Sequence, residues 1–125
     1  MIHGIGVDIV QVARVRRSLD RHGEAFAARI LAAAELADWR SSKDSERFLA
    51  KSFAAKEAFA KALGTGLVAP ATLRAVAVAH DAAGKPFYTY DERLAAHMAE
   101  RGFVAHLSLS DEREYAVAFA VIERP

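Results

Sequence analysis

The sequence contains no cysteine, and this absence excludes disulfide bonds, thiolate metal sites and a cysteine nucleophile. The sequence also has no large excess of charge of either sign, because it contains 17 lysines and arginines and 16 aspartates and glutamates. The resulting net charge of +1 argues against a general nucleic-acid-binding protein, which would be far more basic. No apolar run approaches the length of a membrane span. We therefore expect a chain that binds neither nucleic acid nor membrane.

Proline is scarce, and the three prolines fall where we expect loops or a chain end. Linkers, low-complexity tracts and internal repeats are absent as well. The start of the chain lacks the basic segment of a signal or transit peptide, so we expect a cytoplasmic protein. A length of 125 residues with 53% hydrophobic residues fits one globular domain over residues 1–125.

Hydrophobic periodicity predicts an α+β protein with an antiparallel sheet packed against helices. Helices dominate the first half of the chain and strands the second. The predicted helices cover residues 11–20, 24–40, 45–63 and 91–101. The predicted strands cover residues 2–10, 76–79, 87–90, 104–110 and 114–123.

The helix predicted over residues 45–63 is apolar on most sides, so its charged residues are informative. An unpaired carboxylate in such surroundings is costly, and Glu57 therefore needs a partner. Lys61 is one option, since it follows four residues later on the same helix. Lys56 falls in the middle of the apolar arc, where its stem could lie on apolar surface while its amine reaches water.

Asp8 is the second candidate, in the first predicted strand. Alternation places it on the same face as Gly4 and Gly6, and glycines there leave room for something to sit against the strand. An ordinary strand-end carboxylate explains Asp8 equally well. Together with Glu57 it would form an oxygen pair suited to a hard cation such as Mg²⁺. Sequence spacing alone does not establish that the two carboxylates meet.

The strand predicted over residues 104–110 has one polar face. His106, Ser108 and Ser110 share that face, and the leucines between them point the other way. Such a face is either plainly exposed or a row of donors for phosphate or ribose. Gly64-Thr65-Gly66 lacks the lysine of a P-loop, and Gly64 equally fits the end of the long helix.

Arginine is concentrated near the beginning of the chain. Five arginines and two acidic residues lie between positions 11 and 29, a local excess of +3. The arginines are Arg14, Arg16, Arg17, Arg21 and Arg29. A basic patch of this kind suits docking of an acidic partner, although a solvated helix surface explains it equally well.

Three blocks of sequence resemble the holo-acyl-carrier-protein synthases, the small trimeric class of 4′-phosphopantetheinyl transferases. They are Gly4-Ile5-Gly6-Val7-Asp8-Ile9, the segment 48–66 with its Phe-Ala-Ala-Lys-Glu-Ala core, and His106-Leu107-Ser108-Leu109-Ser110-Asp111 followed by Tyr115-Ala116. Gly84-Lys85-Pro86 also matches, and the resemblance spans nearly the whole chain. It implies the 4′-phosphopantetheinyl transferase fold and a homotrimer with active sites between protomers.

The resemblance also implies a reaction. The 4′-phosphopantetheine arm of coenzyme A would move to a serine of apo acyl carrier protein, releasing adenosine 3′,5′-bisphosphate in support of fatty acid biosynthesis. Asp8 and Glu57 would hold Mg²⁺, and Lys61 would add positive charge at the phosphates. The base that takes the serine proton stays open between a metal-linked water, Glu57 and a nearby side chain.

By the same resemblance, eight residues are candidates for binding coenzyme A. They are Lys61, Gly64, Gly66, Gly84, Lys85, Pro86, His106 and Ser108. Arg14 and Arg21 would dock the acidic carrier protein.

One position departs from the family pattern. Many members have arginine directly before the Phe-Ala-Ala-Lys-Glu-Ala stretch, whereas this chain has Ser52. If that arginine holds a coenzyme A phosphate, this chain either uses another cation such as Lys51 or binds more weakly. Two alternative functions remain: a Mg²⁺-dependent hydrolase of coenzyme A and a non-catalytic coenzyme A-binding module. The basic first helix argues against the hydrolase, which would not need it.

Overall fold

The computed structural model describes residues 1–125 and contains five strands and five helices. In chain order they are β1 (Ile2–Gln11), α1 (Val12–His22), α2 (Glu24–Ile30), α3 (Ala33–Arg40), α4 (Ser45–Leu63), β2 (Val76–His80), β3 (Pro86–Tyr90), α5 (Glu92–Arg101), β4 (Val104–Asp111) and β5 (Tyr115–Glu123). The predicted α+β class is confirmed. None of the helices combines the length and apolar character needed to cross a membrane.

The prediction of one helix over residues 24–40 is wrong. Helix α2 ends at Ile30, and α3 begins only at Ala33. Between them Leu31 adopts extended backbone and is fully buried. The Glu35 carboxylate accepts a hydrogen bond from the Ala32 backbone N–H at 2.9 Å, which satisfies one donor at the start of α3. The break places Leu31 and Glu35 inside the protein, and these contacts are invisible to helical periodicity.

The strands form two antiparallel sheets. β1, β5 and β4 form a three-stranded sheet in that order, and β2 pairs with β3 in a separate hairpin. The first and last strands of the chain are neighbours, so the sheet is not confined to the second half of the sequence. The apolar core lies between the three-stranded sheet and α4, where β5 contributes Ala116, Ala118, Ala120 and Ile122.

Helix α4 packs directly on the backbone of β1. A Cβ atom on Gly4 would collide with the carbonyl oxygen of Ala62, and one on Gly6 would collide with that of Ala58. The space that the two glycines leave against the strand is therefore filled by α4 of the same chain. Asp8 follows on the same face of β1.

The opposite face of the three-stranded sheet, here called the outer sheet face, has no helix over it. Ile5, Val7 and Ile9 of β1 are 58%, 55% and 62% exposed, and Phe119 of β5 is 43% exposed. The cross-strand register adds further residues to this face. They are Val117 and Val121 of β5 and His106, Ser108 and Ser110 of β4.

Candidate active site

Asp8 and Glu57 line the same cleft, a cavity of about 650 Å³ between β1, α1, α2 and α4. Asp8 comes from the last part of β1, and Glu57 comes from the middle of α4. The packing of α4 on β1 brings the two carboxylates together although 48 residues separate them in the sequence. We call this cavity the carboxylate cleft. Its other lining residues include Arg14, Phe26, Arg29, Ile30, Phe53 and Leu73.

Glu57 is in an unfavourable electrostatic environment. Burial raises the pKa of its carboxyl group, the negative charge of Asp8 raises it further, and Lys61 partly opposes both effects. No lysine, arginine or histidine nitrogen forms an ion pair with Glu57. Two adjoining carboxylates with one unpaired member form a site that a cation would stabilise. No histidine and no third acidic side chain lies close enough to complete a group of three, so the protein offers two side-chain ligands.

Lys61 contacts β1 instead of the neighbouring carboxylate on its own helix. Its ammonium group donates to the carbonyl oxygen of Val7 at 3.0 Å and to Asp8 Oδ1 at 3.2 Å. The possible ion pair between Glu57 and Lys61 is therefore not formed. Lys61 is exposed, so its charge faces the side of Asp8 that is open to solvent.

Lys56 does not reach water. Its side chain is completely buried, which contradicts the possibility that it snorkels. Its ammonium group lies 2.6 Å from Glu35 Oε1, and burial lowers the pKa of Lys56 while the Glu35 charge opposes that shift. Glu35 is not apparent from the sequence as the partner of Lys56, because it lies 21 residues away in a different helix.

A second cavity of about 290 Å³, here called the hairpin cavity, gathers four of the predicted coenzyme A contacts. Lys85 and Pro86 reach it from the β2–β3 hairpin, and His106 and Ser108 reach it from β4. The His106 ring also contacts Glu123 Oε1 at 3.2 Å. The polar face of β4 is thus both exposed and part of a concave surface.

Asp81 organises the turn that carries Gly84, Lys85 and Pro86. Its Oδ1 atom accepts hydrogen bonds from the backbone N–H groups of Ala83 and Lys85, both at 2.9 Å. Gly84 has a positive φ of 88°, which a glycine adopts without strain. Asp81 was not among the candidate residues predicted from the sequence. An aspartate followed three residues later by glycine is the available signal, because Asp side chains cap turns in this way.

The two cavities lie on opposite faces of the three-stranded sheet. Asp8 pairs with Ala118 on the core-facing side, whereas Ser108 pairs with Phe119 on the outer sheet face. Residues directly opposite in antiparallel strands share one face, so His106 and Ser108 point away from Asp8. Within one chain, the predicted metal ligands and the predicted nucleotide contacts are therefore separated by the sheet.

Gly64 and Gly66 line neither cavity. Gly64 has a φ of 91°, and its N–H donates to the carbonyl oxygen of Ala60, so it ends α4 as a left-handed cap. The interpretation of Gly64 as a helix end is confirmed. A coenzyme A contact by Gly64, Gly66 or Lys61 stays a prediction.

The arginines of the first two helices separate into distinct groups. Arg14 and Arg29 line the carboxylate cleft, whereas Arg21 does not. Arg16 forms an ion pair with Glu46 at 3.4 Å. Arg29 belongs to the basic segment and Phe53 to the Phe-Ala-Ala-Lys-Glu-Ala block, but the sequence pattern assigned neither to a site. The sequence shows that both residues are present, but it does not show that they line the cleft.

Ser52 is buried on α4 and lines neither cavity. Lys51, the cation suggested as a replacement for the family arginine, has its ammonium nitrogen 3.7 Å from Asp111 Oδ1. A role for Lys51 in phosphate binding stays a prediction.

The fold and the site define a class: a small α+β protein whose central helix brings a carboxylate to a strand aspartate in a cleft that also contains two arginines. The model of the 4′-phosphopantetheinyl transferase superfamily matches residues 4–120. The holo-[acyl-carrier-protein] synthase of Aromatoleum aromaticum is 67% identical over 124 residues, which cover 99% of each chain. The chain therefore belongs to the holo-[acyl-carrier-protein] synthases of this superfamily, a family of enzymes.

Solved structures agree with this assignment. The crystal structure of the synthase from Neisseria meningitidis has a TM-score of 0.95 at 44% identity, covering 98% of this chain and 99% of that one. A synthase from Bacillus anthracis, solved in complex with CoA (3′,5′-ADP), has a TM-score of 0.85 at 35% identity. It covers 100% of this chain and 99% of the other.

Proposed function

We propose that this protein transfers the 4′-phosphopantetheine group of coenzyme A to a serine of apo acyl carrier protein in a Mg²⁺-dependent reaction. The serine oxygen forms a bond to the phosphorus of the transferred group. The bond from that phosphorus to the oxygen of adenosine 3′,5′-bisphosphate breaks, and that oxygen leaves with the bonding electron pair. The serine proton passes to a base in the cleft, for which Glu57 is a candidate. The observation that carries the proposal is the unpaired Glu57 beside Asp8 in a cleft that also contains Arg14.

The two carboxylates fit Mg²⁺ in particular. This ion binds through one or two protein carboxylates and keeps its other positions for water and substrate phosphate. Asp8 and Glu57 offer that number of ligands, and Glu57 forms no ion pair. Burial and the charge of Asp8 raise the pKa of its carboxyl group, which a bound cation would oppose. When bound, the ion would polarise the reacting phosphate and neutralise charge on the leaving group. Lys61, already 3.2 Å from Asp8, would add positive charge at the same phosphates.

Coenzyme A would be held by groups from two places. The synthase from B. anthracis was solved with this compound, which supports coenzyme A as the donor here. Lys85, Pro86, His106 and Ser108 share the hairpin cavity and supply a cation, a ring nitrogen and a hydroxyl for phosphate and nucleoside. Lys61 and the backbone around Gly64 and Gly66 would hold the pyrophosphate end. Gly84 would shape the turn between β2 and β3 that carries Lys85.

The separation of the two cavities supports a homotrimer with active sites between protomers. One chain cannot easily bring His106 to the ligand held by Asp8, because the sheet lies between them. A neighbouring chain could do so if it packed on the outer sheet face. That face exposes Ile5, Val7 and Phe119, an apolar patch typical of a protein contact.

The carrier protein would dock on the arginine-bearing helices. Arg14 lies in the carboxylate cleft and is free of ion pairs, as is Arg21, which lies about two turns further along α1. Positive charge that is not neutralised within the protein is available for an acidic partner. This arrangement favours transfer over hydrolysis of coenzyme A, since a small-substrate hydrolase needs no basic docking helix. We further propose one domain over residues 1–125, a cytoplasmic location and a role in fatty acid biosynthesis.

The direct test is the intact mass of an apo acyl carrier protein after incubation with this protein, coenzyme A and Mg²⁺. A gain of one phosphopantetheine that EDTA abolishes is expected. No gain with a correctly folded protein and carrier would contradict the proposal. Cleavage of coenzyme A without modification of the carrier would instead support the hydrolase, and binding without either reaction would support the binding module.

A further inference from the structure

Lys56 precedes Glu57 on α4 but lines neither cavity. Its ammonium group donates to the carbonyl oxygen of Ile30 at 2.9 Å, to the carbonyl oxygen of Leu73 at 2.7 Å and to Glu35 Oε1 at 2.6 Å. An ammonium group has three N–H donors, so these bonds leave none for a substrate. A fully buried lysine with every donor used acts on the protein and not on the reacting groups.

Two of these three acceptors belong to the walls of the carboxylate cleft. Ile30 is the last residue of α2, and Leu73 lies in the segment between α4 and β2. Both line the cleft together with Glu57. Lys56 therefore ties two separate wall segments to α4 at the position next to Glu57. A change at Lys56 would alter the spacing between the walls and the carboxylate pair.

Glu35 keeps Lys56 in place without contacting the cleft itself. Its Oε1 atom also accepts from the Ala32 N–H, and its Oε2 atom accepts from the Val78 N–H at 3.0 Å. The carboxylate is thus anchored to the start of α3 and to β2. Every buried polar side-chain atom in the protein has a hydrogen-bond partner, so the network is complete. Losing one member would leave the others buried and unpaired, which is costly.

We propose that Lys56 is a positioning residue that sets the separation of the two cleft walls and thereby the fit of the serine-bearing segment of the carrier protein. This inference rests on the proposed function. The carboxylate cleft contains Asp8, Glu57 and Arg14 together with Ile30 and Leu73. A serine delivered to the carboxylate pair from a carrier docked at Arg14 would enter this same cleft. The contacts proposed for the nucleotide end of coenzyme A lie in the hairpin cavity across the sheet. The close packing of α4 on Gly4 and Gly6 of β1 keeps Asp8 beside Glu57 without Lys56, so we expect the KM for coenzyme A to change little.

The test compares steady-state constants for the two substrates. Lys56→Met keeps the length of the apolar stem and removes all three donors. We expect it to raise the KM for apo acyl carrier protein about tenfold while the KM for coenzyme A stays within about twofold. Leu73→Ala removes a wall side chain and leaves the network intact. Because Leu73 is only half-buried, this variant should fold, and it should raise the same KM.

Two matched controls separate positioning from general loss of stability. Arg40→Met breaks the exposed ion pair with Glu24, which also joins α2 and α3 but lies outside the cleft. Leu94→Ala opens a cavity under α5, away from the cleft. Neither substitution should change the ratio of the two KM values. Glu35→Gln removes the buried charge but keeps an acceptor for Lys56, so it should lower stability with less effect on the carrier KM than Lys56→Met.

The outcomes are distinct. A folded Lys56→Met variant with an unchanged carrier KM would overturn the inference, as would an unchanged KM in Leu73→Ala or an equal change in Leu94→Ala. If Lys56→Met does not fold, the double variant E35Q/K56M is measured instead, because it also removes the buried Glu35 charge that the single variant leaves unpaired. The KM of Leu73→Ala for the carrier tests the inference independently of both variants. Absence of transfer by the wild-type protein would overturn the proposed function and this inference with it.

Discussion

Lys61 forms an ion pair with Asp8 across the α4–β1 contact, at 3.2 Å, and leaves Glu57 on its own helix without a cation. In the absence of a metal, the site therefore contains one compensated and one uncompensated carboxylate. The uncompensated group is the one whose pKa is raised by burial and by its neighbour. The site is thus electrostatically prepared for a cation, and the charge of Glu57 reduces stability when no cation is bound.

The first prediction concerns Glu57 and pH. A carboxyl group with a raised pKa in the folded state binds its proton more tightly there than in the unfolded chain. Glu57 therefore lowers stability increasingly as pH rises from its ordinary pKa through the raised value, and the cost is complete above it. We expect metal-free Glu57→Gln to be more stable than the wild type at neutral pH, with the difference vanishing in acid.

Thermal unfolding with and without Mg²⁺ measures this prediction. Mg²⁺ should raise the Tm of the wild type, because a ligand bound only by the folded state stabilises it. It should not raise the Tm of Glu57→Gln, which should also lack transferase activity. Glu100→Gln, on the exposed end of α5, is the control for loss of one negative charge. Equal Mg²⁺ shifts in both variants would contradict a metal site at Glu57.

The second prediction concerns carrier docking. Arg14→Ala should raise the KM for apo acyl carrier protein several-fold more than the KM for coenzyme A, since Arg14 has no partner within the protein. The difference should shrink at high salt, because exposed charges are screened. Arg93→Ala on α5 is the matched control and should change neither constant. A parallel rise of both KM values in Arg14→Ala would argue against a docking role.

The third prediction concerns sites shared between protomers. Asp8→Ala and His106→Ala should each be inactive as pure proteins if both residues bind the same coenzyme A, as proposed. The two residues lie on opposite sides of the sheet. After subunit exchange, mixed oligomers should regain part of the activity, because some sites combine an intact Asp8 with an intact His106. Native mass spectrometry would verify the exchange. Verified mixing without recovered activity would count against shared sites.

The fourth prediction concerns the α4–β1 contact that holds Asp8 beside Glu57. Gly6→Ala should destabilise the protein by about 3 kcal/mol or more, because its Cβ would meet the carbonyl oxygen of Ala58 and backbone cannot yield easily. Urea unfolding measures the change. Ser110→Ala on the outer sheet face is the control and should change stability by less than about 0.5 kcal/mol. Near-normal stability of Gly6→Ala would contradict this packing.

Local signals determined much of the secondary structure. Helix α4 has the bounds predicted for it, and Gly64 ends it with a positive φ as expected. The structure adds that Asp44 caps its start, accepting from the Arg47 N–H at 3.1 Å. Alternation in β1 and β4 correctly placed Asp8 with the glycines and separated Ser108 from Leu107. These features depend on neighbours within a few residues, and so they can be deduced from the chain alone.

Tertiary structure decided what the charged residues do. Lys56 pairs inside the protein with Glu35, which lies 21 residues away in the sequence. Lys61 pairs with Asp8, 53 residues away, and not with Glu57 on its own helix. The break between α2 and α3 and the placement of the two cavities on opposite faces of the sheet have the same origin. Periodicity predicts which face of an element is apolar, but the partner that covers it is set by packing of the whole chain. The sequence therefore determined the elements and the candidate residues, and only the fold determined their partners, because burial and ion pairing depend on neighbours remote in the chain.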